Sequence, residues 1–199
     1  MSKPVLTIRF ANTHDEEAIS KFRIEQYKTA KEFNIVDLNA VTKQSGKIFI
    51  AEVNNSIVST MQIEVVNNKE EFKIIETGFI PKSFNYYKSI YLSKAGTSKV
   101  FRNTGLNSLL RKLTIESAIE NINVLSLSGT AYSNAPRMHL LKKLGYDIVE
   151  IPPAMDYLQP VEKTILFLCL HRDKFPAALK LLNEEIKELE SNFSITIKK

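Results

Sequence analysis

The fold of this chain is decided by residues 97–110, TSKVFRNTGLNSLL. They read as the end of a strand, a tight turn and a helix that begins at once, with Leu109, Leu110 and Leu113 on an apolar stripe. The first turn of a helix has N–H groups without intrahelical partners and carries about half a positive charge. Gly105 lets the backbone approach an anion closely or take a positive φ. The stretch therefore predicts a phosphate or pyrophosphate site made of backbone amides.

The spacing in this stretch separates it from the common nucleotide loops, since the chain has neither G-x-x-x-x-G-K-S/T nor G-x-G-x-x-G. It resembles the acyl-CoA pyrophosphate loop of the GNAT superfamily of N-acetyltransferases, whose signature is Q/R-x-x-G-x-G/A. Arg102, Gly105 and Asn107 occupy the three signature positions. Asn107 departs from the small residue of the family, and its side chain either crowds the pyrophosphate or caps the helix.

A second match lies in residues 133–146, SNAPRMHLLKKLGY. The corresponding family motif is an Asn after a strand, then a helix, then a Lys-x-Gly-aromatic stop. Asn134 lies seven residues before Leu141 and eleven before Gly145, which is the family spacing. An ordinary capped helix explains the glycine, but it does not explain the distance of this helix from the first motif.

The amino-terminal residues agree with the same family. Residues 7–11 alternate polar and apolar side chains like a half-buried strand. Thr13, followed three residues later by Glu16, predicts a capping box at the start of a helix. Many family members begin with such an I-R-x-A strand and a D-x-x-x-I/L helix, so the resemblance covers about residues 5 to 150.

The composition is typical of a globular protein, with 44% hydrophobic and 25% charged residues in 199. We expect one GNAT-like domain over 1–199, with 171–199 as a carboxy-terminal helical extension. No apolar run approaches the ~18 residues of a membrane span, and residues 1–4 carry no secretory signal. The single cysteine, Cys169, excludes an internal disulfide and falls in an apolar segment typical of the core. These features predict a cytoplasmic protein.

The formal net charge of +5 favours an acidic partner. Coenzyme A and an acidic acyl carrier protein both fit. Because the basic residues are scattered and no zinc-finger or RNP-like motif occurs, we expect no nucleic acid. The apolar face of the last helix leaves a homodimer open; it consists of Leu179, Leu182, Ile186 and Leu189.

Strand and helix patterns predict a mixed α/β (α+β) fold. The expected strands are near 5–11, 47–52, 57–66, 72–77, 89–97 and 123–128, with one or two more up to 170. The expected helices are near 14–31, 105–120, 134–144 and 173–191, with a short helical piece and a loop in 32–46. Asn54 and Asn55 are a hairpin signal. By resemblance, helices flank a GNAT-like central sheet that splays apart where the strand at 89–97 ends.

The resemblance also implies where an acyl-CoA binds. In the family the acyl-pantetheine arm lies between the splayed strands and pairs with exposed backbone groups, which here belong to Ala95, Gly96 and Thr97. Asn134 is implied as a further cofactor contact. The implied pyrophosphate loop consists of Arg102, Asn103, Thr104, Gly105, Leu106, Asn107 and Ser108.

The implied reaction is direct attack of an amine on the thioester, which needs no nucleophilic residue. The protein must orient the reactants, supply an N–H for the oxyanion, remove the amine proton and protonate the thiolate. Many family members have a Tyr acid at the position of Leu141, which cannot donate a proton. Tyr91 and Glu76 are our candidate proton-handling groups. The three histidines lack metal-ligand spacing, and we expect no metal.

The predicted activity is transfer of an acetyl or other acyl group from acyl-CoA to a primary amine. Aromatic residues in 78–91 leave open a synthase that takes a long acyl chain from acyl carrier protein. Leu141 in place of Tyr leaves open a non-catalytic module that binds acyl-CoA.

Overall fold

The computed structural model describes residues 2–27, 34–67, 88–132, 135–151 and 165–198. Its strands form one eight-stranded mixed sheet in the order β6-β7-β5-β4-β3-β2-β1-β8. The strands are β1 (Val5–Phe10), β2 (Gly46–Val53), β3 (Ser56–Val66), β4 (Ser89–Thr97), β5 (Ser126–Tyr132), β6 (Asp147–Ile151), β7 (Ile165–His171) and β8 (Ser194–Lys198). The helices are α1 (Glu16–Gln26), α2 (Leu38–Lys43), α3 (Leu106–Glu120), α4 (Ala135–Lys143), α5 (Phe175–Glu185) and α6 (Lys187–Asn192).

The predicted mixed fold class is confirmed, and most elements lie where the patterns placed them. Two regions differ. The strand expected at 123–128 is β5, which begins three residues later at Ser126. The single helix expected at 173–191 is a short 3-10 helix followed by α5 and α6, and β8 comes after them. The alternating β-branched residues of SITIK explain this last strand. The strand expected at 72–77 lies outside the described residues.

The chain forms two compact units, of which the first contains Met1–Glu64, Ser93–Thr114 and Leu182–Lys199. In it β2 pairs antiparallel with β1 and β3, while β8 pairs parallel with β1. Asn54 and Asn55 both have positive φ, 51° and 61°, which is the backbone of a tight hairpin turn. A buried cluster seats α1 and α2 against β2; its members are Ile19, Val36, Leu38, Val41, Ile48 and Ile50.

The amino-terminal cap differs from the prediction by one residue. A 3-10 turn, Thr13–Asp15, leads into α1, and its N-cap is Asn12, not Thr13. The Asn12 Oδ1 accepts from the His14 amide at 3.0 Å, and Asp15 Oδ2 accepts from the Asn12 amide at 2.8 Å. Arg9 donates two hydrogen bonds of 2.7 and 2.8 Å to the Asp15 carboxylate, which holds this carboxylate in its capping position. Glu16, the expected partner of Thr13, instead accepts from the Leu38 amide at 2.7 Å.

The second unit contains Val65–Leu92 and Ile115–Leu181. In it β7 pairs antiparallel with β5 and β6. The parallel pairing of β4 with β5 runs from Ser89 opposite Ser126 to Leu92 opposite Gly129. The predicted end of α4 is confirmed: Gly145 has φ +86°, its amide bonds Lys142 O, and the Tyr146 amide bonds Leu141 O. This is the Schellman pattern that a glycine permits.

Arg172 closes the carboxy-terminal end of α3 in the same unit. Its Nη1 donates to the carbonyls of Ala118, Asn121 and Val124 at 2.9, 3.0 and 2.7 Å. Its Nη2 donates to Ile119 O at 2.9 Å. A cation is favourable at this end of a helix because the last carbonyls carry partial negative charge. One guanidinium thus satisfies carbonyls that would otherwise need water.

The apolar face of the last helices packs inside the chain. Leu182, Ile186 and Leu189 have at most 1% of their surface exposed. The interpretation of this face as a dimer contact is therefore wrong for these three residues, because they already have partners in their own chain. Across the described ranges, no helix combines the length and apolar composition that crossing a bilayer requires.

Candidate active site

The loop before α3 has the backbone that an anion site requires. A 3-10 turn, Lys99–Phe101, precedes it, and α3 begins at Leu106. Asn103 and Gly105 have φ of 63° and 86°, so the second of the two roles foreseen for Gly105 is confirmed. Arg102 Nε donates to Thr97 O at 3.3 Å, and this bond ties the loop to the end of β4.

The amides of the first helical turn face the end of this loop. The Leu109 amide bonds back to Gly105 O at 2.9 Å, which makes Gly105 the N-cap residue. The amides of Leu106, Asn107 and Ser108 therefore have no acceptor within the helix. A glycine offers no side-chain oxygen to bond them, unlike the Ser, Thr, Asn or Asp found at most N-caps. Three consecutive N–H groups in the first turn, at the positive end of a 15-residue helix, suit a pyrophosphate.

The carboxy-terminal segment supports the loop from behind. A Cβ on Gly105 would lie 2.6 Å from Glu185 O and 3.3 Å from the Ile186 Cα. The Phe101 and Phe193 rings are also in contact, with centroids 5.8 Å apart. Glycine is required at 105 by this approach of two backbones as well as by its φ.

The half of β4 within the first unit is irregular. Lys94 has φ +44°, which is uncommon for a side-chain-bearing residue and marks a local break in the strand. Gly96 O accepts from Ser59 Oγ at 2.8 Å, and Thr97 O accepts from Arg102. In the segment whose backbone groups the resemblance implies for acyl binding, Ala95 to Thr97, two carbonyls thus accept from side chains.

Tyr27 lies directly over Gly96. Its hydroxyl would be 2.7 Å from a Cβ at that position, so a glycine is needed there for the end of α1 to approach β4. Tyr27 was not predicted as a site residue, because nothing in the sequence spacing links the end of α1 to residue 96. The contact places a phenol at the segment expected to bind the acyl arm.

A buried charged cluster lies in the same unit, and sequence reasoning missed it too. Arg23 has no exposed surface, and Gln62 and Glu64 are 6% and 4% exposed. Arg23 Nη2 donates to Gln62 Oε1 at 3.1 Å, and Gln62 Nε2 donates to Glu64 Oε1. Residues two apart on a strand share a face. Two polar residues so spaced within the apolar strand β3 were the available signal.

Electrostatics sets the protonation of this cluster. Burial raises the pKa of Glu64, against the opposing effects of the Gln62 hydrogen bond and the charges of Lys94 and Arg23. Burial lowers the pKa of Arg23 to about 10, so the guanidinium stays charged at neutral pH. Lys94 is exposed as a residue, yet partial burial of its amine and repulsion by Arg23 lower its pKa.

Of the proton-handling candidates, Tyr91 is described and Glu76 is not. Tyr91 belongs to the second unit, is 4% exposed, and shares a hydrogen bond of 3.2 Å with Thr130 Oγ1. Leu141 is buried in α4 and offers no proton. Asn134, the remaining cofactor candidate, also lies outside the described residues.

Cysteine and histidine chemistry is separate from this site. Burial raises the pKa of Cys169 to about 12, so the thiol stays protonated and is no nucleophile. His14 and His139 are exposed. His171 occupies the N-cap position of the following 3-10 turn, Arg172–Lys174, without a side-chain hydrogen bond to that turn. Its Nε2 lies 3.2 Å from Asp147 Oδ2. Within the described ranges, His, Cys, Asp and Glu side chains form no group of three or more able to hold a metal ion.

The chain has the fold of the GNAT acetyltransferases. Arabidopsis thaliana NAA60, solved with acetyl-CoA, matches with a TM-score of 0.64 at 13% identity, over 85% of this chain and 99% of that one. A GNAT-family acetyltransferase of Streptococcus pneumoniae matches at 0.56 and 20%, over 82% and 97%. The ribosomal-protein-alanine N-acetyltransferase of Brucella melitensis matches at 0.57 and 19%, over 82% and 98%. Neither a family model nor a curated protein sequence matches.

Proposed function

We propose that this protein is an N-acyltransferase that moves an acetyl or other acyl group from acyl-CoA to a primary amine. The observation that carries the proposal is the open amino terminus of α3, with Gly105 as its N-cap. Its support is the fold, which is that of a protein solved with acetyl-CoA bound. The backbone amides of Leu106, Asn107 and Ser108 then hold the pyrophosphate.

The acyl arm would follow β4 into the site. Ala95, Gly96 and Thr97 are its proposed backbone partners, beyond the irregularity at Lys94. The amine nitrogen attacks the thioester carbonyl, a C–N bond forms and the C–S bond breaks. The amine gives up one proton, and the thiolate takes one up.

Tyr91 and Glu76 stay proposed proton-handling groups. Tyr27 joins them, because its hydroxyl lies at Gly96, where the leaving sulfur would pass. A phenol in that place can protonate the thiolate, which Leu141 cannot do. Since Leu141 is buried, a non-catalytic acyl-CoA-binding module is the second candidate function.

The first test is a thermal shift with acetyl-CoA, free CoA and a long-chain acyl-CoA, each in large excess. A ligand at a hundred times its Kd stabilises a protein by about 2.7 kcal/mol. Shifts with acetyl-CoA and CoA, together with thiol release when amines are added, support the transferase. Shifts without thiol release favour the binding module. A shift with the long chain alone favours a long-chain acyl synthase, and no shift refutes the proposal.

A further inference from the structure

Among the described residues, Arg23 is the largest side chain with no exposed surface, yet its hydrogen bonding is incomplete. A guanidinium has five N–H donors. Nη2 bonds Gln62, whereas Nε and Nη1 are buried and have no acceptor among the described residues. Buried donors of a charged group destabilise a fold when they stay unpaired. A bound acceptor with two oxygens would pair both of these donors.

The charges around Arg23 point to an anion. Among the described residues the cluster contains two cations, Arg23 and Lys94, and one carboxyl, Glu64. Glu64 accepts its hydrogen bond from Gln62, and this amide separates the carboxyl from the guanidinium. One more carboxylate would balance the charge and give the free N–H groups a planar, two-oxygen partner.

The position of Arg23 links it to the acyl segment. Tyr27 ends α1 four residues after Arg23, so the two side chains start from one side of the helix, about 6 Å apart along the axis. The Tyr27 hydroxyl lies at Gly96, and Lys94 reaches the surface two residues earlier on β4. An acceptor whose carboxylate is held by Arg23 would therefore place its amine near the acyl arm only if the amine and the carboxylate are close together in the acceptor.

We propose that Arg23 binds a carboxylate of the acceptor, so that the substrate amine belongs to the amino-acid class. This inference rests on the proposed acyltransferase function. The free N–H groups of Arg23 bind the carboxylate oxygens, and the neighbouring amine attacks the thioester. Acceptors that carry only positive charges are disfavoured by Arg23 and Lys94 together.

The test compares each of the twenty common L-amino acids with its carboxamide, using acetyl-CoA as donor and thiol release as signal. The carboxamide keeps the shape and removes the charge. For an accepted amino acid we expect wild-type kcat/KM to exceed that of its carboxamide by about tenfold or more. In Arg23→Met this preference falls to near one, mainly through KM. Comparing the two ratios cancels the different basicities of the amines.

The unfolding temperature of Arg23→Met and its thermal shift with acetyl-CoA show whether the variant is folded. Because unpaired buried charges destabilise, we expect Arg23→Met to unfold at the wild-type temperature or above it. It keeps the acetyl-CoA thermal shift. Should it fail to fold, Arg23→Lys takes its place, since it keeps the charge and loses the planar fork.

Three results would overturn the inference. One is a preference for the carboxylate that survives in Arg23→Met. Another is acylation of carboxamides and other amines with no amino acid accepted. The third comes from repeating the assay with succinyl-CoA: an Arg23→Met defect confined to this donor would place the carboxylate on the acyl group. Absence of any acetyl-CoA shift is a separate failure, because it refutes the transferase itself.

Discussion

Two helices in the first unit differ in whether side chains cap the unpaired amides at their amino termini. In the 3-10 turn that leads into α1, the Asn12 side chain accepts from the His14 amide, the Asp15 side chain accepts from the Asn12 amide, and Arg9 holds Asp15 in place. Before α3, Gly105 stands at the N-cap and has nothing to offer. A closed terminus stabilises the chain by itself, while an open one is free to bind a ligand.

The other end of α3 strengthens the contrast. There Arg172 donates to four carbonyls, so the helix is closed where no ligand is expected and open where one is proposed. The uncapped amides are thus confined to the end of α3 that follows the loop. Substitutions at each end should separate ligand binding from stability.

The largest effect is expected from Asn107→Glu, at the open terminus. A carboxylate in the first turn suits the helix dipole and leaves the unfolding temperature unchanged or slightly higher. The same charge repels the pyrophosphate by about 4 kcal/mol at 4 Å and an effective dielectric of 20, which weakens acetyl-CoA binding roughly a thousandfold. Isothermal titration with acetyl-CoA measures the loss.

Ser117→Glu is the matched control, because this exposed residue lies on the same helix, away from the loop. It should leave the affinity as it is. Equal losses in both variants would mean that overall charge, and not the open terminus, controls binding. Gly105→Glu is a poorer choice, since its Cβ alone would collide with Glu185 O.

The variant Tyr27→Phe tests whether the Tyr27 hydroxyl is the group that protonates the leaving thiolate. If the Tyr27 hydroxyl protonates the thiolate, its loss should lower kcat about a hundredfold, with little change in KM for acetyl-CoA. Steady-state thiol release gives both constants. Tyr91→Phe is made in parallel. A loss of kcat seen only with Tyr91→Phe would mean that Tyr91, the candidate predicted from the sequence, protonates the thiolate, and that Tyr27 only packs against Gly96.

Arg172→Met tests the closed end of α3. Removing the guanidinium leaves four carbonyls without their donor and should lower the free energy of unfolding by about 2 kcal/mol. Chemical denaturation measures this, and the Kd for acetyl-CoA should stay within error in the folded protein. Arg172→Lys should recover only part of the loss, because an ammonium lacks the planar fork. An unchanged midpoint for Arg172→Met would show that water replaces the arginine.

Asp15→Asn, at the closed terminus of α1, should have the smallest effect, up to about 1 kcal/mol. The hydrogen bonds from Arg9 hold the pKa of Asp15 below its ordinary value of 3.8. On acidification the unfolded chain therefore takes up the proton first, and the stabilisation, complete above 3.8, is lost as pH falls through the folded pKa. Melts between about pH 6 and 2 should be flatter for Asp15→Asn than for wild type. Glu17→Gln, an exposed carboxyl, is the control.

The sequence predicted the parts that depend on local chemistry. β4, the loop and α3 follow from a strand pattern, Gly105 and an apolar stripe within one segment, and Gly145 ends α4 for an equally local reason. The contacts of Tyr27 with Gly96 and of Arg23 with Gln62 join residues far apart in the chain. No periodicity encodes such pairs. Even the local prediction of a Thr13–Glu16 capping box is wrong, because Arg9 holds the Asp15 carboxylate, and Asp15 instead of Glu16 accepts from the cap residue.

The pairing of β8 with β1 has a consequence for how the protein is made. Val5 lies opposite Ser194 and Arg9 opposite Lys198, so β1 leaves the ribosome long before β8, the strand that covers its outer edge. Glu185 and Phe193, which back the loop at Gly105 and Phe101, also emerge late. Contacts of such long sequence separation form slowly. We therefore expect a nascent chain to form its ligand-binding loop only after residues 185–198 have been made, so that chains truncated before them are inactive and expose a strand edge prone to aggregation.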